Sequence, residues 1–353
     1  MNLHLEALYS WHDHVERDLP WKEGKDPYKI WLSEIILQQT RVEQGKPYYL
    51  RFIHKWPTIY DLAAASEDEV LSMWQGLGYY SRGRNLLKTA QVVVSQYNGQ
   101  FPKDIKEIVK LPGIGSYTAA AILSFAHDLP HPVIDGNVKR VIARWFDIDV
   151  PIDSSLGIKN INTLLTQVFD CESPARFNQA IMDFGALQCT PQPKCASCNM
   201  SKYCISYKNE TTDLIPIKEK IINVKHRYFH FLFILVGDQC VITRRSNSDI
   251  WHGLYQFPLF ESEHITTNDI KYLINDIFGK DIQGFNVVAI DQGKHKLTHQ
   301  VIHYHIYQIN LGKLDIQIML PPYQLIKIKE IDKFGFPQLL KKFLDRYFVE
   351  PVL

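Results

Sequence analysis

Four cysteines crowded into sixteen residues constrain this chain more than any other feature. Cys189, Cys195, Cys198 and Cys204 are spaced Cys-x5-Cys-x2-Cys-x5-Cys, whereas the other two, Cys171 and Cys240, stand alone. In a reducing compartment clustered thiols serve as metal ligands, because a cation stabilises thiolates while disulfides are kept reduced. Zinc and an iron–sulfur cluster both accept four sulfurs. The surrounding stretch is rich in Pro and Lys, which is no way to build a core, so the spacing predicts a loop closed around a metal centre. The solitary pair read as buried spectators.

The 353 residues amount to about two ordinary domains. With 46% hydrophobic and 22% charged residues, a fibrous repeat, a wholly disordered chain and a membrane protein are all disfavoured. The longest apolar run, Phe231 to Val236, is far too short to cross a bilayer, and the start, Met1-Asn2-Leu3-His4-Leu5-Glu6, has no basic region followed by an apolar one. The chain reads as cytoplasmic. Lys and Arg number 39 against 38 Asp and Glu, so any nucleic-acid site must be a local patch.

Residues 1–208 read as helical. Pro27 follows Asp26 at a helix start, with Ile30, Trp31 and Leu37 on one stripe behind it. Further helices are expected over 67–74, 85–97, 104–110, 117–126, 138–145 and 158–169. Residues 209–225 turn polar and charged and read as a linker. From 226 to 353 the period changes to two: strands are expected at 230–236 and 240–244 around a Gly237-Asp238 turn, and at 303–307. With helices near 268–278 and 336–347, this second part is α+β.

Between two helical patterns lies Leu111-Pro112-Gly113-Ile114-Gly115. Pro ends one helix, and the glycines permit a hairpin whose free backbone N–H groups face outward at the start of the next, a natural seat for a phosphate. This is a helix-hairpin-helix arrangement, which holds a nucleic-acid backbone without reading bases. Further on, Val133-Ile134-Asp135-Gly136-Asn137-Val138-Lys139-Arg140 puts Asp135 at a helix N-cap, where a carboxylate stays ionised. Glu34 has the opposite setting. Its helical neighbours Ile30, Trp31 and Leu37 are apolar, so burial raises its pKa and lets it act as an acid. One carboxyl kept as an acid and one as an anion can protonate a leaving group while stabilising a sugar cation.

These segments, taken with Trp31-Leu32-Ser33-Glu34-Ile35-Ile36-Leu37-Gln38-Gln39-Thr40 and Trp74-Gln75-Gly76-Leu77-Gly78-Tyr79-Tyr80-Ser81-Arg82, resemble the adenine DNA glycosylase family, MutY type, in order and interval. Trp251-His252-Gly253-Leu254-Tyr255-Gln256-Phe257-Pro258 resembles the start of that family's C-terminal domain, so the likeness spans nearly the whole chain. It implies a helix-hairpin-helix glycosylase fold with a four-Cys iron–sulfur loop, followed by a Nudix-like domain. It also implies an enzyme that flips adenine out of duplex DNA when it is mispaired with 8-oxoguanine or guanine, and that works as a monomer. Glu34 matches the acid, Asp135 the carboxylate that stabilises or captures the sugar cation, and Tyr117 and Asn137 supporting positions. Gln39 and Tyr79 match residues that wedge beside the flipped base. Arg82, Arg84, Lys88, Lys139 and Arg140 are the basic groups expected on phosphates, beside the Leu111, Gly113 and Gly115 hairpin.

The strand-cutting endonuclease III type carries a lysine nucleophile where this chain reads Tyr117, so the resemblance implies little lyase activity. Two departures stand out. The family's usual cysteine pattern has six residues in its first gap and this chain has five; a [4Fe–4S] cluster is expected, with zinc as the alternative. The family's Phe-Ser-His lesion-reading segment appears here as Leu297-Thr298-His299, without the aromatic. The acidic run that binds metal in Nudix enzymes does not follow residues 251–260, so the domain is expected to recognise and not to hydrolyse. His295, His303 and His305 read as strand histidines and not as a metal site. The competing readings are an endonuclease III-like glycosylase and lyase, a Nudix-type phosphohydrolase with a helical appendage, or a non-catalytic, metal-stabilised DNA-binding module.

Overall fold

The computed structural model describes residues 3–15, 17–219, 224–246, 249–312 and 319–349. The chain forms two compact units, Met1–Ala64 with Asn85–Ile221, and Ala65–Arg84 with Ile222–Leu353. The segment 65–84, part of the helical region by sequence, therefore packs with the C-terminal unit.

The helices in chain order are α1 (Leu3–His12), α2 (Pro27–Leu37), α3 (Val42–Lys55), α4 (Ile59–Ala63), α5 (Glu67–Trp74), α6 (Ser81–Tyr97), α7 (Ile105–Ile108), α8 (Ser116–His127), α9 (Gly136–Trp145), α10 (Ser155–Val168), α11 (Pro174–Leu187) and α12 (Ile205–Lys208). Capping accounts for several starts. Asp26 accepts a hydrogen bond from Tyr28 N (2.9 Å) ahead of α2, whose first residue is Pro27, and Ser154 caps α10 through Gly157 N (3.1 Å). Trp31, Phe52, Trp145, Phe177 and Phe184 are all almost fully buried. Truncating any one of them to Ala costs about 3–5 kcal/mol.

The segment after α12 is not a free linker throughout. Ile215 is buried, its carbonyl accepts from Arg144 Nε (2.8 Å), and Ile152 N donates to Ile217 O (3.0 Å). Residues 220–223 of the expected linker lie outside the described residues. Cys171 corrects the reading of the solitary cysteines: it is exposed in the turn between α10 and α11, whereas Cys240 is buried as expected.

In the second unit β1 (Lys225–Val236), β2 (Gln239–Arg244), β3 (Tyr255–Gln256), β4 (Leu259–Glu261), β5 (Val287–Lys296), β6 (Gln300–Asn310) and β7 (Tyr323–Lys327) make one seven-stranded sheet. Its order is β3-β2-β1-β6-β5, with β4 on β1 and β7 on β2; β1 and β6 are parallel. Gly237 (φ 61°) makes the tight β1–β2 turn, where Val236 pairs with Gln239. Helices α13 (Thr267–Phe278) and α14 (Gln338–Val349) cover the sheet. Alternation along β1 sends Phe229, Phe231 and Phe233 into one core with Phe343, and Leu232 and Ile234 into another with Ile274 of α13. No helix of the described residues is long and apolar enough to cross a membrane.

Candidate active site

A cavity of about 590 Å³ opens among α2, α8, α9 and α11. Glu34 and Asp135 both line it, with Tyr117 and Asn137. Glu34 lies mid-way along α2, whose inner face is packed against α8, and only 8% of it is exposed. Tyr117 OH donates to Glu34 Oε2 at 2.6 Å. Burial pushes the carboxyl up, the Tyr117 hydrogen bond opposes this, the charge of Asp135 adds to it, and the result is about 7. A group with that value holds its proton near neutrality and can also release it.

Asp135 caps α9: Oδ1 accepts from Val138 N (2.7 Å) and Oδ2 from Asn137 Nδ2 (2.9 Å). Asn137 is itself held by Arg140, whose Nη2 donates to Asn137 Oδ1 (2.9 Å) and to Gly185 O (2.6 Å) and whose Nε donates to Cys189 O (2.8 Å). Arg140 thus braces α9 against the cysteine loop through Nε and Nη2 while remaining half-buried. Lys139 beside it is half-buried.

Sequence reasoning missed the opposite wall of the cavity. The buried Asp183 of α11 accepts from Arg17 Nη1 (2.5 Å), Lys22 Nζ (2.9 Å), Gln179 Nε2 (3.0 Å) and His12 Nε2 (3.3 Å). Burial alone would raise Asp183, but the bonds from His12, Lys22 and Arg17 outweigh it and hold the carboxyl below the usual carboxylate range. His12, Arg17 and Lys22 lie 161 to 171 residues from Asp183 along the chain, so no local motif joins them.

A raised acid leaves a trace in stability. Below about pH 4.5 Glu34 is protonated whether the chain is folded or not and costs nothing; from there the cost grows with pH and levels off above pH 7 at about 3 kcal/mol. Glu34→Gln is therefore expected to raise Tm at pH 8 and leave it unchanged at pH 4. An equal Tm for variant and wild type at pH 8 would show that the carboxyl is not held protonated by burial.

At the hairpin, Gly113, Gly115 and Ser116 are exposed while Leu111 and Ile114 are buried, so the loop offers backbone outward and anchors itself with apolar side chains. Leu111 can contribute only through its main chain. Gly113 needs its glycine twice over: φ is 75°, and a Cβ would come within 2.8 Å of Asn85 Cβ. Gly115 is the N-cap of α8 and no side chain caps that first turn, which leaves its N–H groups for a ligand.

The two wedge candidates share a feature the sequence does not show. Gln39 (φ 55°) and Tyr79 (φ 45°) both hold the left-handed conformation that ordinary side chains avoid, and both are exposed. In the C-terminal unit Tyr79 OH hydrogen-bonds Thr298 Oγ1. Arg82 is buried, donating to Leu77 O (3.0 Å) and Gly78 O (3.2 Å), so it supports the Tyr79 loop and does not reach out to a phosphate. Arg84 donates to His252 O. Tyr79 and Arg84 line a cavity of about 820 Å³ with Trp251, Thr298 and His299. The β5–β6 turn that carries Thr298 and His299 is fixed by Leu297 N to Gln300 O (2.8 Å) and by Arg227 Nη1 to Gln300 Oε1 (3.2 Å). Arg227 also grips Asp249 and Glu261, each through two bonds of 2.6–2.8 Å.

Cys189, Cys195, Cys198 and Cys204 line one cavity with Arg144, Lys194 and Met200, and among the described residues no carboxylate or imidazole lines it. Burial pushes the Cys198 and Cys204 thiols up to about 11. Arg144 Nη1 donates to Cys189 Sγ (3.6 Å) and Arg144 O accepts from Cys204 Sγ (3.2 Å). An all-sulfur donor set beside fixed cations suits a soft, net-negative metal–thiolate centre, so the residues present fit one. Among the described residues no group of three or more His, Cys, Asp or Glu stands close enough together to hold a single metal ion.

A buried acid and a capping carboxylate thus share one cavity, and the glycine hairpin leads into α8, which brings Tyr117 to it. The chain matches the HhH-GPD superfamily of base excision DNA repair proteins over residues 32–155 and the NUDIX domain over 230–346. The adenine DNA glycosylase of Buchnera aphidicola subsp. Baizongia pistaciae (strain Bp) is 39% identical over 319 residues, covering 88% of this chain and 87% of that one. That of Buchnera aphidicola subsp. Schizaphis graminum (strain Sg) is 33% identical over 345 residues, covering 96% and 97%. Among solved structures, a thermostable thymine-DNA glycosylase superposes with a TM-score of 0.53 at 30% identity, over 59% of this chain and 96% of that one. The chain belongs to the adenine DNA glycosylase family. It is an N-glycosylase of base excision repair, in a family of DNA-binding glycosylases.

Proposed function

We propose that this enzyme releases adenine mispaired with 8-oxoguanine or guanine in double-stranded DNA, with Glu34 as general acid and Asp135 as the anion facing the sugar. The observation that carries the reading is Glu34, buried and raised to about 7, lining one cavity with Asp135. Adenine is a poor leaving group as an anion. Glu34 gives its proton to a ring nitrogen as the glycosidic bond breaks, and adenine departs neutral. The Asp135 carboxylate, oriented by Asn137 and the α9 N-terminus, stabilises the cation left at the sugar. Water then attacks that carbon and returns a proton to Glu34. Tyr117 OH, bonded to Oε2, leaves Oε1 as the proton-bearing oxygen. Because position 117 has no amine, the sugar forms no Schiff base and the strand stays intact until alkali is added.

Gln39 and Tyr79 fill the space beside the flipped base, Gly113, Gly115 and Lys139 hold the backbone, and Thr298 and His299 read the base opposite adenine. Cys189, Cys195, Cys198 and Cys204 would hold a [4Fe–4S] cluster. Such a cluster supplies a structural clamp on the loop that Arg140 and Arg144 grip. Iron and labile sulfide near four per chain in anaerobically prepared protein are the expected assay result; stoichiometric zinc would replace the cluster with a single ion.

The test is single-turnover base release from duplexes carrying adenine opposite 8-oxoguanine, guanine, cytosine or thymine. Release opposite the first two, without strand scission, is expected. Absence of release from all four would leave only DNA binding, and scission without alkali would favour a lyase.

A further inference from the structure

Toward the start of β1, the sheet face that carries Leu232 and Ile234 into the α13 core changes character. Tyr228 lies opposite His303, and His230 opposite His305, in the parallel β1–β6 register. The rings stack: His303 on Tyr228 with centroids 4.7 Å apart and planes at 20°, His305 on His230 at 5.2 Å and 10°, and Tyr307 beside His305 at 6.2 Å and 22°. His226 Nδ1 meets His303 Nε2 at 2.8 Å. On the same face β5 sets Lys294 opposite His303 and Lys296 opposite Val301, and β4 sets Phe260 opposite His230. His226, Lys294 and Lys296 are exposed, and Tyr228, His303, His305 and Tyr307 are half-buried.

Such a row is poorly explained as core, since five of its rings keep contact with water. Among the described residues no carboxylate is found acting on His303 or His230. The charged groups acting on His303 are Lys294, His226 and His305, and those on His230 are His305 and His264, all cationic or able to become so. The nearby carboxylates Glu261 and Asp249 are spent on Arg227, which points to the other face, and Asp291 is bonded to Arg346. Flat rings at alternate residues stand about 6.6 Å apart along a strand, flanked by lysines. Sheets of this kind bind unpaired nucleotides, with bases stacking on rings and phosphates meeting cations.

We propose that the β4-β1-β6-β5 face is a binding surface for single-stranded DNA. The bases pack against the water-facing edges and open ends of the Tyr228, His303, His305 and Tyr307 row, and the backbone runs past Lys294 and Lys296. The proposal is independent of the acid cavity and of how Thr298 and His299 act.

The test uses the full-length protein with its metal centre intact and a fluorescein-labelled eight-nucleotide oligo(dT), followed by anisotropy. Lys294→Glu, an exposed charge reversal that does not threaten folding, and His303→Ala with Tyr307→Ala should each weaken binding by about tenfold or more. Adenine release from a mismatched duplex should stay at the wild-type rate. Photo-crosslinking with a 4-thiothymidine oligonucleotide should label peptides spanning 225–236 and 300–310. Unchanged affinity in the folded variants, or crosslinks confined to the helical unit, would overturn the assignment.

Discussion

Glu34→Gln is expected to slow adenine release by about 10⁴-fold, close to 5.5 kcal/mol of barrier and the upper end of what one positioned acid supplies. The magnitude follows from the leaving group. Without a proton adenine must depart as an anion, and Glu34 is the carboxyl lining the cavity whose pKa is raised to about 7. Gln keeps an acceptor for Tyr117 OH and nearly the same volume, so the cavity and the binding of mismatched duplex should survive. The wild-type rate should fall about tenfold per pH unit above 7, as Glu34 loses its proton, and the variant should lack that limb. A variant within tenfold of wild type in single-turnover release, or one that loses binding together with rate, would remove Glu34 from the acid's role.

The second large effect is expected from Asp135→Asn, about 10³-fold in release, the scale seen when one electrostatic partner of a charged transition state is removed. Asn is nearly as good an N-cap as Asp, so α9 should still start where it does and the fold should hold. The two carboxyls are also coupled. Asp135 helps to raise Glu34, and neutralising it should lower the Glu34 pKa and move the descending limb of the pH–rate profile to lower pH. A profile that stays in place would mean that the two groups do not sense one another, even if the rate falls.

The division into a helical part and an α+β part was legible because the hydrophobic period changes, and motifs with local geometry were legible with it. Asp26 and Asp135 cap where their patterns put them, Gly237-Asp238 turns β1 into β2, and the apolar neighbours of Glu34 do bury it. Illegible features depend on partners distant in the chain. Arg82 and Arg140 look like surface cations in the sequence, yet each is drawn inside by carbonyls that only the fold brings near. Helix α3 contains Pro47, which argues against a helix in isolation, and β5 is too polar to show an apolar alternation. Residues 65–84 read as one more stretch of the helical region because nothing along them reveals that Gln75 and Tyr80 both donate to the carbonyl of Phe336.

That last attachment bears on how the enzyme could be dissected. The finger that carries Tyr79 is anchored to the same body as the Thr298 and His299 turn. A truncation ending near residue 220 would discard the body on which that finger is built and leave it in the chain without its support. Loss of adenine release in such a fragment would therefore report a collapsed finger as much as a missing C-terminal domain.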